Sequence, residues 1–163
     1  MMDSVDVLIP VYNGERTIER AILSALSQKN VNLGKVLVID DGSTDKTSKI
    51  VESLKIKNLQ LVRTQNMGVS AARNLGLTLV ESEWVAFLDC DDEWSPEKLA
   101  KQIIIGNKFN VSFVCDYMVV LTSIDVENEL TDERIARIAG EYVEGNYGFN
   151  PNFLCYDYEI NEV

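Results

Sequence analysis

Four short apolar runs, each followed by a stretch with helical spacing, constrain this chain more than any other feature. Residues 5–10, 35–40, 59–63 and 84–89 read as buried strands, and no polar residue interrupts the last run from Trp84 through Leu88. Between them the period changes. Ile18, Ala21, Ile22, Ala25 and Leu26 share one face of a helix expected over 17–28. Thr47, Ile50, Val51 and Leu54 form the inner face of a second, with Ser43 or Thr44 as its cap. Ala71, Ala72, Leu75 and Leu79 form that of a third over 70–80. Ser95-Pro96 is a helix-start signal, and the helix it opens carries Leu99 and Ile103 and ends near Gly106. Residues 111–117 are expected to add a fifth strand. Apolar strands separated by helices predict an α/β fold, a mainly parallel sheet flanked by helices on both faces.

In such a sheet, ligands bind just past the carboxyl ends of the strands. Four chemically distinctive segments fall there: Pro10-Val11-Tyr12-Asn13-Gly14-Glu15, Asp40-Asp41-Gly42-Ser43-Thr44-Asp45, Asn66 through Asn74, and Asp89-Cys90-Asp91-Asp92. They are expected to converge on one crevice. The three carboxylates of the last segment repel one another, so either their pKa values rise or a cation sits among them. Carboxylates are hard ligands suited to Mg²⁺ or Mn²⁺. Each segment also has a plainer explanation: a solvated acidic loop, a turn with a helix cap at Asp40-Asp41-Gly42-Ser43, partial burial of Tyr12, or a surface ion pair of Arg73.

The totals exclude several chemistries. The chain has no histidine, which removes histidine-based triads, zinc sites and a histidine general base. Its 15 Lys and Arg against 26 Asp and Glu make nucleic acid a poor partner. An acidic protein that handles a phosphorylated ligand needs local cations, helix N-termini or a metal. Cys90, Cys115 and Cys155 are odd in number and form no CxxC pair, which reads as free thiols in a reducing compartment. The sequon at Asn110 is read as chance. No apolar run reaches the ~20 residues of a membrane helix.

Taken together and in order, the segments Val7 through Asn13, Val38 through Asp45, Asn66 through Gly76 and Phe87 through Asp92 resemble glycosyltransferase family 2, over roughly residues 4–117. The resemblance implies a GT-A, Rossmann-like architecture and transfer of a sugar, with inversion, from a nucleotide-diphosphate sugar, usually a UDP-sugar, to an acceptor hydroxyl. It implies that Pro10, Val11, Tyr12 and Glu15 line the nucleotide pocket, that Asp41 reads the base, and that Gly68 and Arg73 lie near the donor. Asp89 and Asp91 would be the DxD pair holding Mn²⁺ or Mg²⁺, with Asp91 the main ligand and Asp89 nearer the ribose or sugar.

Residues 118–163 differ in character. From 119 onward there are ten acidic residues and two basic ones, Arg134 and Arg137. This divergent acidic region is read as a remnant of the acceptor-side half, after a core over 1–117. Gly148-Phe149-Asn150 and Tyr156-Asp157-Tyr158-Glu159 look like an altered form of the family's base-bearing segments, which makes Asp157 the candidate base. The chain stops soon afterwards, so the expected fold is a shortened one. The alternative is a module that binds a nucleotide-sugar without transferring it. Expected partners are a nucleotide-sugar donor and a glycan, lipid-linked or protein acceptor. The expected location is the cytoplasm, with peripheral attachment at the cytoplasmic membrane face left open. A dehalogenase-type phosphatase or a receiver domain would need its acidic pair after the first strand, and the glycine motifs of dinucleotide and P-loop sites are missing.

Overall fold

The computed structural model describes residues 3–109. Eight elements follow in order: β1 (Ser4–Val11), α1 (Ile18–Leu26), β2 (Asn32–Asp40), α2 (Thr47–Ser53), β3 (Leu59–Arg63), α3 (Val69–Leu77), β4 (Trp84–Phe87) and α4 (Lys98–Phe109). The α/β expectation holds, and β3 has the bounds read from the sequence. The expected fifth strand, the 117/118 boundary and Asp157 lie outside the described residues. A compact unit extends to Ile103, and a second begins at Ile104, of which only the end of α4 is described. Among the described residues, no helix is long and apolar enough to cross a membrane.

All strand pairs are parallel, and the sheet order is β3-β2-β1-β4. β1 is therefore central, which is why its sequence is apolar on both faces. Val5, Val7, Ile9 and Val11 point to one side, where they pack with Ile18, Ala21, Ile22 and Ala25 of α1, Val51 of α2 and Leu99 of α4. Leu8 and Ile39 point to the other, against Ala72, Leu75 and Leu79. Burying each large aliphatic side chain contributes about 1.5–3 kcal/mol. α3 sits close to the sheet because Gly76 leaves room for Leu8; a Cβ at Gly76 would lie 2.3 Å from Leu8 Cδ1.

Several polar residues are buried with this core, Asp6 among them. Asp6 is 1% exposed and accepts hydrogen bonds from the backbone N–H of Lys35 (2.7 Å), Glu81 (2.8 Å) and Ser82 (3.2 Å) and from Ser82 Oγ (2.7 Å). Burial pushes its carboxyl up, but these four donors outweigh burial and hold it below the ordinary value. It ties β1 to the starts of β2 and β4.

The helix starts differ from the expected ones. Ser43 does not cap α2, because its hydroxyl accepts the N–H of Asn13 at 2.9 Å. Asp45 serves the first turn instead, accepting Thr47 N–H at 2.9 Å. At α4, the Leu99 N–H goes to Gln28 Oε1 (3.0 Å). The chain does turn at Ser95, whose carbonyl accepts Lys98 N–H at 3.2 Å.

Candidate functional site

From β1 the chain steps outward to β2 and β3, then crosses back to place β4 on the far side of β1. This reversal opens a crevice at the carboxyl ends of β1 and β4, the usual ligand position in such sheets. A cavity of about 330 Å³ lies there. Its walls are Pro10, Val11 and Tyr12 from β1 and its end, Asp41 after β2, Val69, Ala72 and Arg73 from α3, and Asp89, Cys90 and Asp91 after β4.

The first two loops are fastened to each other. Gly14 N–H donates to Thr47 Oγ1 (2.9 Å), and Thr44 N–H donates to Asn13 Oδ1 (2.9 Å). Glu15 N–H donates to Asp45 Oδ2 (3.1 Å), while Glu15 Oε2 accepts Lys46 N–H (3.1 Å). Asn13 sits at φ 55, a conformation that Asn tolerates better than most residues. Tyr12, just before it, is 50% exposed at the cavity.

The two adjacent aspartates after β2 divide the work. Asp40 is fully buried; it accepts Ser43 N–H at 2.8 Å, accepts the Ser48 hydroxyl, and pairs with Arg63 Nε at 3.2 Å. Burial pushes this carboxyl up, and the serine hydrogen bonds and the Arg63 charge more than compensate, leaving it below the ordinary range. Asp41 reaches the next loop. Its two oxygens accept the N–H of Met67 (2.9 Å) and of Gly68 (2.7 Å), while its own N–H donates to the Val11 carbonyl at 2.8 Å. The close passage of the 64–66 backbone explains Gly42: it adopts φ 78, and a Cβ there would lie 2.9 Å from Asn66 N.

The remaining wall is electrostatic. Arg73 donates to Asp89 Oδ1 at 2.6 Å, and its Nε is buried without a hydrogen-bond partner. Cys90 is a free, half-buried thiol whose pKa is raised by burial and by the Asp91 and Asp89 charges. Asp92 is pushed up by burial and by the same two carboxylates, with Arg20 opposing them.

The model of the family described as "Glycosyl transferase family 2" matches residues 6–134. The chain belongs to glycosyl transferase family 2. An uncharacterized glycosyltransferase of Haemophilus influenzae is 40% identical over 105 residues, which cover 63% of this chain and 42% of that protein. The UDP-Glc:alpha-D-GlcNAc-diphosphoundecaprenol beta-1,3-glucosyltransferase WfaP of Escherichia coli is 37% identical over 105 residues, covering 63% of this chain and 41% of its own length. Among solved structures, S. aureus TarS 1–349 in complex with UDP superposes with a TM-score of 0.67 at 30% identity, over 74% of this chain and 37% of that one. The same TarS region has also been solved with UDP-GlcNAc, again at a TM-score of 0.67. The chain spans about four-tenths of the length of these two curated relatives.

Seven of the residues singled out from the sequence therefore wall one cavity of a family 2 fold: Pro10, Val11, Tyr12, Asp41, Arg73, Asp89 and Asp91. Two stand outside the wall. Glu15 joins the first two loops, and Gly68 at φ 91 gives its N–H to Asp41 where α3 begins. Sequence reasoning missed Val69, Ala72 and Cys90. The first two follow from the helical face that carries Arg73, and Cys90 from lying between two wall aspartates.

Proposed function

We propose that this chain supplies the donor-binding part of an inverting glycosyltransferase that moves a sugar from a UDP-sugar to an acceptor hydroxyl with the help of a divalent metal. The carrying observation is the cavity at the β1/β4 reversal, walled by an aromatic ring, a guanidinium and three carboxylates. The UDP-Glc named for the Escherichia coli relative and the UDP-bound TarS structures support uridine as the nucleoside. In this reading the Tyr12 ring offers a face to the base, over a floor of Pro10 and Val11. Asp41 meets the base edge while holding the third loop, and Glu15 and Gly68 act by fixing the loops. Arg73 faces the phosphates.

Three carboxylates outnumber the single guanidinium on the wall, so a bare diphosphate would be repelled. Mg²⁺ and Mn²⁺ suit this wall, because such ions take one or two protein carboxylates and complete their shell with phosphate oxygens and water. Asp91 and Asp89 would hold the ion. Among the described residues, no group of three or more His, Cys, Asp or Glu side chains is placed to hold a metal ion, so the phosphates would have to supply the remaining ligands. When bound, the ion neutralises the diphosphate and makes it a better leaving group. In the transfer itself, the acceptor hydroxyl gives its proton to a carboxylate base. Its oxygen bonds to the anomeric carbon, and the carbon–oxygen bond to the diphosphate breaks with its electron pair on the departing UDP. Asp157 is the proposed base. The lipid-linked saccharide named for WfaP favours an acceptor of that class over a free glycan or a protein, and hence a place at the cytoplasmic membrane face.

The test is a UDP-release and transfer assay with UDP-glucose and a polyprenyl-diphosphate-linked GlcNAc, run on the chain and on Asp157→Asn. The variant is expected to bind donor normally and to transfer nothing. Full activity in the variant removes Asp157 from the mechanism. Donor binding without transfer in the unaltered chain would identify a binding module instead.

A further inference from the structure

We propose that Arg20 is a positioning residue for the acidic loop of the donor site, acting through a row of polar side chains that holds the 91–99 segment against α1. The proposal rests on the donor-site reading above in one respect: the group Arg20 positions is the Asp91 carboxylate.

The row lies beside the apolar face of α1. Arg20 and Ser24, four residues apart, stack along one side of α1, and Gln28 lies just past its end at Leu26. Each takes hold of a backbone group in the segment that leads from the acidic cluster to α4. Arg20 donates to the Asp91 carbonyl at 3.1 Å, and buried Ser24 accepts Trp94 N–H at 3.1 Å. Gln28 donates to the Ser95 carbonyl at 2.7 Å and accepts Leu99 N–H at 3.0 Å. Lys29 N–H reaches the Pro96 carbonyl at 2.6 Å. Residues 92–95 have no regular secondary structure, so these bonds replace a ladder in fixing their course.

Arg20 stands at the acidic end of the row. It grips Asp91 by its main chain and not by its carboxylate, which walls the cavity. Its Nε also meets Glu93 Oε2 at 3.3 Å, with both side chains more than half exposed. An ion pair that open to water adds little to stability. Its value is geometric, because a planar guanidinium holds a carbonyl and a carboxylate in one fixed fork, whereas the donors of an ammonium rotate freely. The same cation opposes the push that burial and the Asp91 and Asp89 charges give the Asp92 carboxyl. Arg20 lines a separate depression between α1 and residues 93–96 and is not on the cavity wall, so its contact with the site runs through the loop.

The experiment compares Arg20→Gln, Arg20→Lys and Ser24→Ala with the unaltered chain, using two readouts. The first is the alkylation rate of Cys90, followed by peptide mass spectrometry without nucleotide or metal. Cys90 reports the loop directly, because it sits between Asp89 and Asp91. Arg20→Gln is expected to raise the rate severalfold. An unchanged rate in Arg20→Gln overturns the proposal, as does a rise smaller than that of Ser24→Ala, whose bond to Trp94 lies further from Cys90. The second is calorimetric titration of UDP with Mn²⁺ and with EDTA. Removing a residue that orients a metal ligand commonly weakens metal binding about 10–100-fold. Arg20→Gln should therefore lose about that much Mn²⁺-dependent affinity, with Arg20→Lys between it and the unaltered chain, and the affinity in EDTA should not move. Full Mn²⁺-dependent affinity in Arg20→Gln overturns the proposal. If the unaltered chain binds UDP equally in Mn²⁺ and EDTA, the metal reading itself fails and takes the functional half of this proposal with it, while the Cys90 rates still decide whether Arg20 holds the loop.

Discussion

Asp41→Asn separates the two tasks assigned to one carboxylate. In the fold, one oxygen of Asp41 accepts Met67 N–H at 2.9 Å and the other accepts Gly68 N–H at 2.7 Å. An amide offers one acceptor and one donor, so whichever way it turns, its NH₂ faces a backbone N–H. One charge-assisted hydrogen bond is lost and a donor meets a donor. Hydrogen bonds to charged groups contribute about 1.5–3 kcal/mol each. The amides of Met67 and Gly68 lie in an exposed stretch where water can replace part of what is lost. The expected net cost is about 2 kcal/mol, a substantial part of the ~5–15 kcal/mol that holds a typical domain together. Urea denaturation followed by Trp84 and Trp94 fluorescence measures the total. Amide hydrogen exchange at Met67, Gly68 and Val69 locates it. A midpoint shift worth less than about 0.5 kcal/mol, the ordinary range for inert surface changes, together with unchanged exchange at those amides, would refute the latch. A loss of UDP affinity beyond that of a second loop-loosening change, Gly68→Ala, would show that Asp41 also meets the base.

Asp91→Ala is expected to abolish Mn²⁺-dependent UDP binding and to leave the circular dichroism spectrum unchanged; retained Mn²⁺-dependent affinity in the folded variant would remove Asp91 as the metal ligand. Gly76→Ala places a methyl group 2.3 Å from Leu8 Cδ1, and an overpacking cost of about 1–3 kcal/mol should exceed the ~1 kcal/mol gain in helix propensity. Denaturation should show a net loss, and Leu8→Val in the same chain should recover part of it; a stabilised Gly76→Ala would mean that α3 can move away freely. Asp6 and Asp40 both have folded-state pKa values below the unfolded value of 3.8. Their contribution is therefore complete above that pH and is lost as pH falls through the lowered folded values. Acid denaturation should begin below about pH 4, and Asp6→Asn should flatten that limb while lowering stability at pH 7.

The fold was legible because a central parallel strand has to be apolar on both faces. β1 and β2 announce themselves for that reason, and the period change to Ile18, Ala21, Ile22 and Ala25 marks the first crossover. The crevice followed from the strand ends alone. Loop-to-loop fastening was not legible. Nothing local to Asp41 says that its oxygens meet backbone amides 26 and 27 residues away, and Ser43 looked like a cap because its cross-loop donor, Asn13, lies 30 residues earlier. Asp6 was hidden for the same reason, as its donors come from the starts of two other strands. Arg20 and Ser24 carried a visible signal, since spacing by four beside an apolar stripe marks a helix edge, whereas Gln28 lies past the end of α1. Which backbone they would grip depended on the path from Asp91 to Leu99.

The most direct test is calorimetric titration of UDP into the unaltered chain, first with Mn²⁺ and then with EDTA. Metal-dependent binding, lost on chelation, is the outcome expected from a cavity whose carboxylates outnumber its single guanidinium. UDP binding of equal strength in EDTA would contradict the metal assignment of Asp89 and Asp91, and no binding in either condition would contradict the donor site itself.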